Sequence, residues 1–166
     1  AQAAERFFEV QAIDTMKTSR DKAREGVSTE VIENQIRSIA ETGATHVAIG
    51  TPYEEEFVPY MRRWVELARK YKLKVWFRGN LAGWEGWFDY KKISPDEHKT
   101  KIREFILSHP DLFEDGDVFV SCPECENGGP GDPRQTGDVE GFRKFIREEY
   151  NTTYRAFRRI NKDVII

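Results

Sequence analysis

THVAIGTPYEEEFVPYMRRWVELARKYKLKVWFRGN, from Thr45 to Asn80, decides the fold class of this chain. It begins with a short apolar segment, Thr45–Tyr53, and ends with a second one, Leu73–Asn80. Between them, Glu54–Lys72 has apolar residues at helical spacing, with acids in its first turn and bases in its last, as the helix dipole favours. The stretch therefore predicts a β-α-β unit, in which a helix joins two parallel strands.

The same alternation extends in both directions along the chain. The other predicted elements, in order, are a strand at Arg6–Ile13, a helix at Ser28–Gly43, a helix beginning at Ser94, a strand at Asp117–Glu124, a helix beginning after Asp138, and a strand at Asp163–Ile166. Ser94, Pro95 and Glu97 have the pattern of a capping box with proline in the first turn, which marks a helix start. Four β-α units and a fifth strand imply parallel strands joined by right-handed crossovers.

Two α/β architectures fit this pattern, a five-stranded doubly wound sheet and part of a (β/α)8 TIM-type barrel. The barrel is favoured because no glycine-rich phosphate loop follows the first strand and because the long loops after the strands hold the reactive side chains. If the sheet ended at the predicted fifth strand, the apolar edge of that strand would have no partner, which also favours the barrel. A whole barrel needs about 250 residues. We therefore expect residues 1–166 to be the N-terminal part of one barrel, with strands 1–5 and helices 1–4, completed by the remainder of the barrel or by a second chain.

Composition narrows the classes of partner. The chain is 39% hydrophobic and 33% charged with a net charge of −3, which is typical of a soluble globular protein. It has no basic stripe for nucleic acid and no apolar run near the roughly 20 residues that a membrane span needs. The small residues of the N-terminal AQAA resemble those near a signal-peptidase site, which would suit an extracellular or periplasmic location.

Cys122 and Cys125 form a C-x-x-C pair with three possible roles. A zinc site needs four ligands, and the three histidines lie on other segments without ligand spacing. A redox pair normally precedes a helix, whereas glycines follow here. We therefore favour a buried small thiol at Cys122, and expect no metal and no cofactor.

Several sequence blocks resemble a known group. IDTMKTSRD (Ile13–Asp21), THVAIGTPY, VWFRGN, GWEGWF and CPECENGG are similar to blocks in the N-terminal half of clan A glycoside-hydrolase-like barrels, including uncharacterised bacterial proteins. The resemblance implies an acid/base glutamate at the end of strand four and a nucleophile at the end of strand seven, outside this chain. Glu124 matches the first position, although Pro123 stands where the clan usually has asparagine.

Glu124 is accordingly the candidate general acid/base for a two-carboxylate mechanism on a glycan. Strand alternation would place Glu126 on the same face, as an alternative acid or as a like charge that raises the pKa of its neighbour. The alternative is a loop acid that caps a helix or binds a backbone amide. Glu85 could also serve as an acid, but solvent exposure is the simpler expectation. With the nucleophile elsewhere, we expect little or no turnover from this part alone.

The candidate substrate-binding residues end the other strands or lie in the loops that follow. Trp84 and Trp87 could stack on sugar rings, although a self-packed loop would use them equally well. Arg78 could hold a carboxylate or form a structural ion pair. The other candidates are Gln11, Asp14, Tyr53, Asn80 and Asn127.

The predicted function is a glycoside hydrolase with a carbohydrate substrate. A non-catalytic carbohydrate-binding barrel is one alternative, and would bind glycans even with Glu124→Gln. A metal-dependent sugar isomerase or epimerase, with Glu124 or Glu126 as a ligand, is the other.

Overall fold

A computed structural model describes residues 8–166. Its parallel sheet contains β1 (Ala12–Asp14), β2 (His46–Ile49), β3 (Lys74–Phe77) and β4 (Val118–Phe119), in the order β1-β2-β3-β4. The helices of this part of the chain are α1 (Met16–Ser19), α2 (Thr29–Glu41), α3 (Val58–Lys70), α4 (Ala82–Glu85), α5 (Pro95–Ser108), α6 (Pro133–Thr136) and α7 (Val139–Arg159). The expected mixed α/β class with parallel strands is confirmed. None of these helices is long and apolar enough to cross a membrane.

The strands are shorter than the sequence predicts. Arg6 and Phe7, within the first predicted strand, lie outside the described residues. Pro52 and Pro123 have no amide hydrogen, so neither can continue a ladder to the predicted strand ends. The predicted fifth strand contributes one parallel bridge, between Ile165 and Val118.

The helix starts follow the predicted capping residues closely. Ser94 accepts a hydrogen bond from the backbone of Glu97, and the Glu97 side chain accepts one from the backbone of Ser94, which completes the predicted capping box. Asp138 caps α7 by accepting from the Gly141 N–H. The helix predicted from Glu54 begins with a 3-10 turn at Glu55–Phe57 before α3.

The buried face of α7 is not wholly apolar. Phe145 and Phe157 are buried, but Glu149 and Thr153 are buried between them. The apolar side chains that face outward are Val139, Ile146, Tyr150 and Tyr154. Tertiary packing against α5 sets this orientation, because Glu149 bonds to His98 of that helix.

Aromatic rings form the centre of the core between the sheet and helices α5 and α7. Phe77 of β3 and Phe119 of β4 pack against Phe113, and Phe119 also contacts Phe157 of α7. Tyr53 stacks between Phe119 and a ring of α5. These contacts fix the sheet against the two helices that carry the buried polar groups described below.

A buried carboxylate fixes the start of β4. Asp117 is fully buried and accepts two hydrogen bonds from the guanidinium of Arg69, at 2.8 and 2.6 Å. It also accepts from the backbone N–H groups of Val75 and Glu114, at 2.9 and 2.8 Å. The side chain thereby joins the end of α3, strand β3 and the turn that precedes β4.

Replacing Asp117 by alanine is expected to destabilise the chain by about 3 kcal/mol or more, because the Arg69 charge and two backbone donors lose their acceptor. Arg62→Ala is the matched control, since the Arg62–Asp111 ion pair is more exposed and is expected to contribute less than about 1 kcal/mol. Urea unfolding of both variants measures the difference. Similar losses would contradict the anchoring role of Asp117.

Candidate functional site

The carboxyl ends of β1 and β3 are joined by an ion pair between two predicted site residues. Arg78, just after β3, donates to Asp14 at 2.7 Å. Gly50, which follows β2, permits the approach of α1, because a Cβ there would lie 2.8 Å from Met16 Cγ. This ion pair fits both alternatives stated for Arg78, a carboxylate-holding residue and a structural ion pair, and both side chains are partly exposed.

Asn80, two residues after Arg78, is fully buried. Its oxygen accepts a hydrogen bond from the Leu81 N–H at 2.8 Å and lies 2.8 Å from the ring Nε2 of His98. Its nitrogen donates to Glu85 Oε1 at 2.5 Å. Both polar atoms of the Asn80 side chain therefore bond within the protein. The sequence predicts that Asn80 contacts substrate, whereas in the structure its amide binds Glu85.

Glu85 is partly buried, which corrects the expectation that it is solvated. It ends the short helix α4, and Gly86 takes the left-handed conformation there, with a φ of +74°. Burial raises the pKa of the Glu85 carboxyl, the hydrogen bonds from Asn127 and Asn80 oppose this rise, and the nearby Glu124 carboxylate adds to it.

Glu124 and Glu85 share one hydrogen-bond donor. Asn127 Nδ2 lies 2.7 Å from Glu85 Oε2 and 2.9 Å from Glu124 Oε2. The two carboxylates are therefore within two hydrogen-bond lengths of each other. This pairing joins the loop after β3 to the loop after β4.

Glu124 reaches this position from a turn, which corrects the argument from strand alternation. Strand β4 ends at Phe119, and Cys125–Asn127 forms a 3-10 turn. Glu124 and Glu126 are both exposed, and among the described residues no hydrogen bond joins Glu126 to the bridged pair.

The cysteines also differ from expectation. Cys122 and Cys125 form a disulfide, and Cys125 is the buried member, so the prediction of a free buried thiol at Cys122 is wrong. The bridge lies at the start of the turn that carries Glu124 and Asn127.

The two tryptophans have different environments. Trp84 is only 1% exposed and packs against the rings of His98 and Phe145. Its face is therefore not free to stack on a sugar ring, which was one of the two predicted roles. Trp87 is partly exposed, with the Arg20 guanidinium 5.0 Å from the centre of its ring. The alternative of a self-packed loop therefore describes Trp84, whereas Trp87 is partly exposed.

Two further predicted contacts lie elsewhere. The Tyr53 hydroxyl donates inside the core to the carbonyls of Phe77 and Val120, so it does not face the site. Gln11 precedes β1 and bonds to Thr45 through its backbone, at the opposite end of the sheet from Asp14. Neither position suits the predicted substrate contact.

Two clefts lie at this end of the sheet, and neither is lined by Glu85 or Glu124. The nearer, of about 360 Å³, is lined by Asn127 together with Trp84, Gly128, Gly129, Lys92 and Ser94. A larger one, of about 770 Å³, runs beside β1 between α1 and α2 and includes Asp14 and Arg20. In residues 8–166, no group of three or more His, Cys, Asp or Glu side chains is placed to hold a metal ion.

Oxidation by N-bromosuccinimide is expected to modify Trp87 before Trp84, because only Trp87 is accessible to the reagent. Tandem mass spectrometry of partly oxidised protein measures the order. Gly129→Ala should expose Trp84, since the added Cβ would clash with its ring. Equal oxidation rates in the unmodified sequence would contradict this geometry.

Comparisons with protein-family models, curated proteins and solved structures found no match to this chain. The resemblance to clan A barrels stays a prediction, and the geometry of Glu85, Asn127 and Glu124 carries the functional argument.

Proposed function

We propose that this chain is part of a (β/α)8 barrel that hydrolyses a glycan with two carboxyl groups, Glu85 as proton donor and Glu124 as its ionised partner. The observation that carries the proposal is the bridge through Asn127, which keeps the two groups close together. Retaining glycosidases place their carboxyl groups about 5–5.5 Å apart, whereas inverting enzymes keep them farther apart to admit water.

The sheet order supports the barrel part of the proposal. Each strand pairs with its sequence neighbour, without the reversal of a doubly wound sheet. With right-handed crossovers, this order puts the connecting helices on one face. The cleft beside β1 and the single bridge at Ile165 mark the two sides where further β/α units, from this protein or a second chain, would complete a barrel.

The raised pKa of Glu85 suits a general acid. Its carboxyl would give a proton to the glycosidic oxygen as the bond to the anomeric carbon breaks. Glu124 would form an ester with that carbon. Glu85 would then take a proton from the water that displaces Glu124. This assignment puts both carboxyl groups within the chain, in place of the external nucleophile that the family resemblance implies. It therefore predicts turnover by the 166-residue chain itself, where the external nucleophile would leave little or none.

The carbohydrate-binding alternative is favoured by one observation. Asn127 bonds to both carboxylates, in the space where the reacting sugar carbon would have to lie. If the amide stays there, a sugar could bind beside Trp87 and the exposed Glu124 without being cleaved. The isomerase alternative has no such support in the described residues.

The test uses the 166-residue chain with a panel of 4-nitrophenyl glycosides and unsubstituted oligosaccharides. Glu85→Gln and Glu124→Gln are each expected to lower kcat on oligosaccharides by roughly 10²- to 10⁴-fold. Glu85→Gln should lose less on 4-nitrophenyl glycosides, because a good leaving group needs little protonation, whereas Glu124→Gln should lose activity on both.

Glu126→Gln and Glu54→Gln are the matched controls. Glu126 is an exposed acid in the same turn as Glu124, and Glu54 is another partly buried acid whose pKa burial raises, outside the bridged pair. Both should keep turnover within about twofold of the parent, because neither carboxylate belongs to the bridged pair. Full activity of Glu85→Gln would refute the assignment, and glycan binding without turnover would favour the binding alternative.

A further inference from the structure

We propose that the buried pair His98 and Glu149 positions Glu85 for proton transfer by fixing the orientation of the Asn80 amide, an inference that rests on the proposed function. His98 lies on α5 and Glu149 on α7, and neither touches the bridged carboxylates. They are positioning residues, and they act through one amide.

Burial makes this pair costly unless it is bonded. His98 is 0% and Glu149 is 2% exposed, and the His98 ring Nδ1 lies 3.0 Å from Glu149 Oε2. An isolated charge or unpaired polar group at such depth would be strongly destabilising. An apolar pair would fill the same space without that cost, so the polar pair calls for a purpose beyond packing.

The amide orientation follows from its partners. The Leu81 N–H is a donor, so the Asn80 atom that it contacts is the oxygen. The His98 Nε2 lies 2.8 Å from that same oxygen and must therefore carry a hydrogen. The Asn80 NH2 group is then left facing Glu85, where it donates.

The protonation of the His98–Glu149 pair follows in turn. With Nε2 donating to Asn80, the ring is either doubly protonated beside a carboxylate, or singly protonated beside a neutral Glu149 that donates to Nδ1. In both forms one proton is shared and the pair is neutral overall. In both forms the hydrogen on Nε2 is kept, so the Asn80 amide keeps its orientation.

The same packing holds the outer donor of Glu85. The Trp84 ring packs against His98 and also lies against Gly128 and Gly129. Gly129 has a φ of +50°, and a side chain there would clash with that ring. Asn127 immediately precedes these glycines. The two donors to Glu85, the buried amide of Asn80 and the exposed amide of Asn127, therefore both depend on the packing around Trp84.

Two charged groups act on the Glu85 carboxyl. Glu124 across the Asn127 bridge raises the pKa of Glu85, and Arg20 from the segment after α1 lowers it. The amides of Asn80 and Asn127 favour its ionised form. A rotated or missing Asn80 donor would therefore shift protonation of Glu85 to higher pH, and the pH range in which Glu85 can also act as a base would shift with it.

The test measures the pKa of Glu85 by carbon-detected NMR titration of the labelled 166-residue chain, with its signal assigned by its loss in Glu85→Gln. Asn80→Asp keeps the oxygen that His98 contacts but faces Glu85 with a carboxylate, and should raise the pKa of Glu85 by about one unit or more. His98→Leu should also raise it, because the amide loses a restraint. His98→Gln, whose side chain can still donate, should restore it towards the parent value.

Lys99→Ala is the control for general disturbance of α5, because Lys99 adjoins His98 but pairs with Asp96 and Glu148 at the surface. It should leave the pKa of Glu85 unchanged. An unchanged pKa in a folded His98→Leu variant, or equal shifts in the leucine and glutamine variants, would overturn the proposal. If the leucine variant does not fold, long-range ¹H–¹⁵N spectra of the parent chain decide the matter, since an unprotonated Nε2 on His98 would overturn it too.

These outcomes are separate from those of the proposed function, because the titration needs no substrate. Shifts as expected together with full turnover by Glu85→Gln would leave the positioning intact and remove the catalytic role. Lost turnover by Glu85→Gln, together with an unchanged pKa of Glu85 in His98→Leu, would keep the catalytic role and remove the positioning role.

Discussion

The side-chain amide of Asn80 can face only one way, and the candidate site depends on that orientation. Its oxygen is held by the Leu81 N–H and the His98 ring, so its nitrogen meets Glu85. Glu85 in turn shares Asn127 with Glu124. A chain of hydrogen bonds therefore runs from the interior between α5 and α7 to the exposed carboxylate, and crosses the ends of two neighbouring strands.

A second buried polar anchor lies at the other end of the same strands. Asp117 precedes β4 and ties it to Arg69 and to Val75 of β3, whereas Asn80 lies beyond the carboxyl end of β3. The two buried side chains, Asp117 and Asn80, differ in where their hydrogen bonds lead. Asp117 is saturated by donors within the fold and contributes to stability, whereas Asn80 passes its last hydrogen bond outward to a partly buried acid.

The sequence was sufficient to predict features that depend on neighbouring residues. The capping box at Ser94 and Glu97, the cap at Asp138 and the β-α alternation arise from local hydrogen bonds and apolar spacing, and each has the expected place. The ion pair between Asp14 and Arg78 is not among these predictions, although both residues lie at the carboxyl ends of strands in one parallel sheet.

The rest depends on contacts between distant segments. The sequence favours solvent exposure for Glu85, and only the fold brings Asn80, 5 residues away, and Asn127, 42 residues away, to its carboxyl group. Tyr53 and Trp84 carry polar atoms that could bind a ligand, so the sequence made them candidates, but in the structure their rings are buried in the core. One signal was available and missed: Glu149 lies four residues after Phe145 and four before Thr153, a charged residue within the buried face of α7.

The pKa of Glu85 in the parent chain and in Glu124→Gln tests the central claim most directly. Burial and the Glu124 carboxylate both raise it, so the parent value should lie above the ordinary 4.5 of a glutamate and should fall when the charge at position 124 is removed. A carbon-detected NMR titration measures both values without any substrate. A parent value at or below 4.5 that Glu124→Gln does not move would contradict the account, because the two carboxyl groups would then not form a coupled pair.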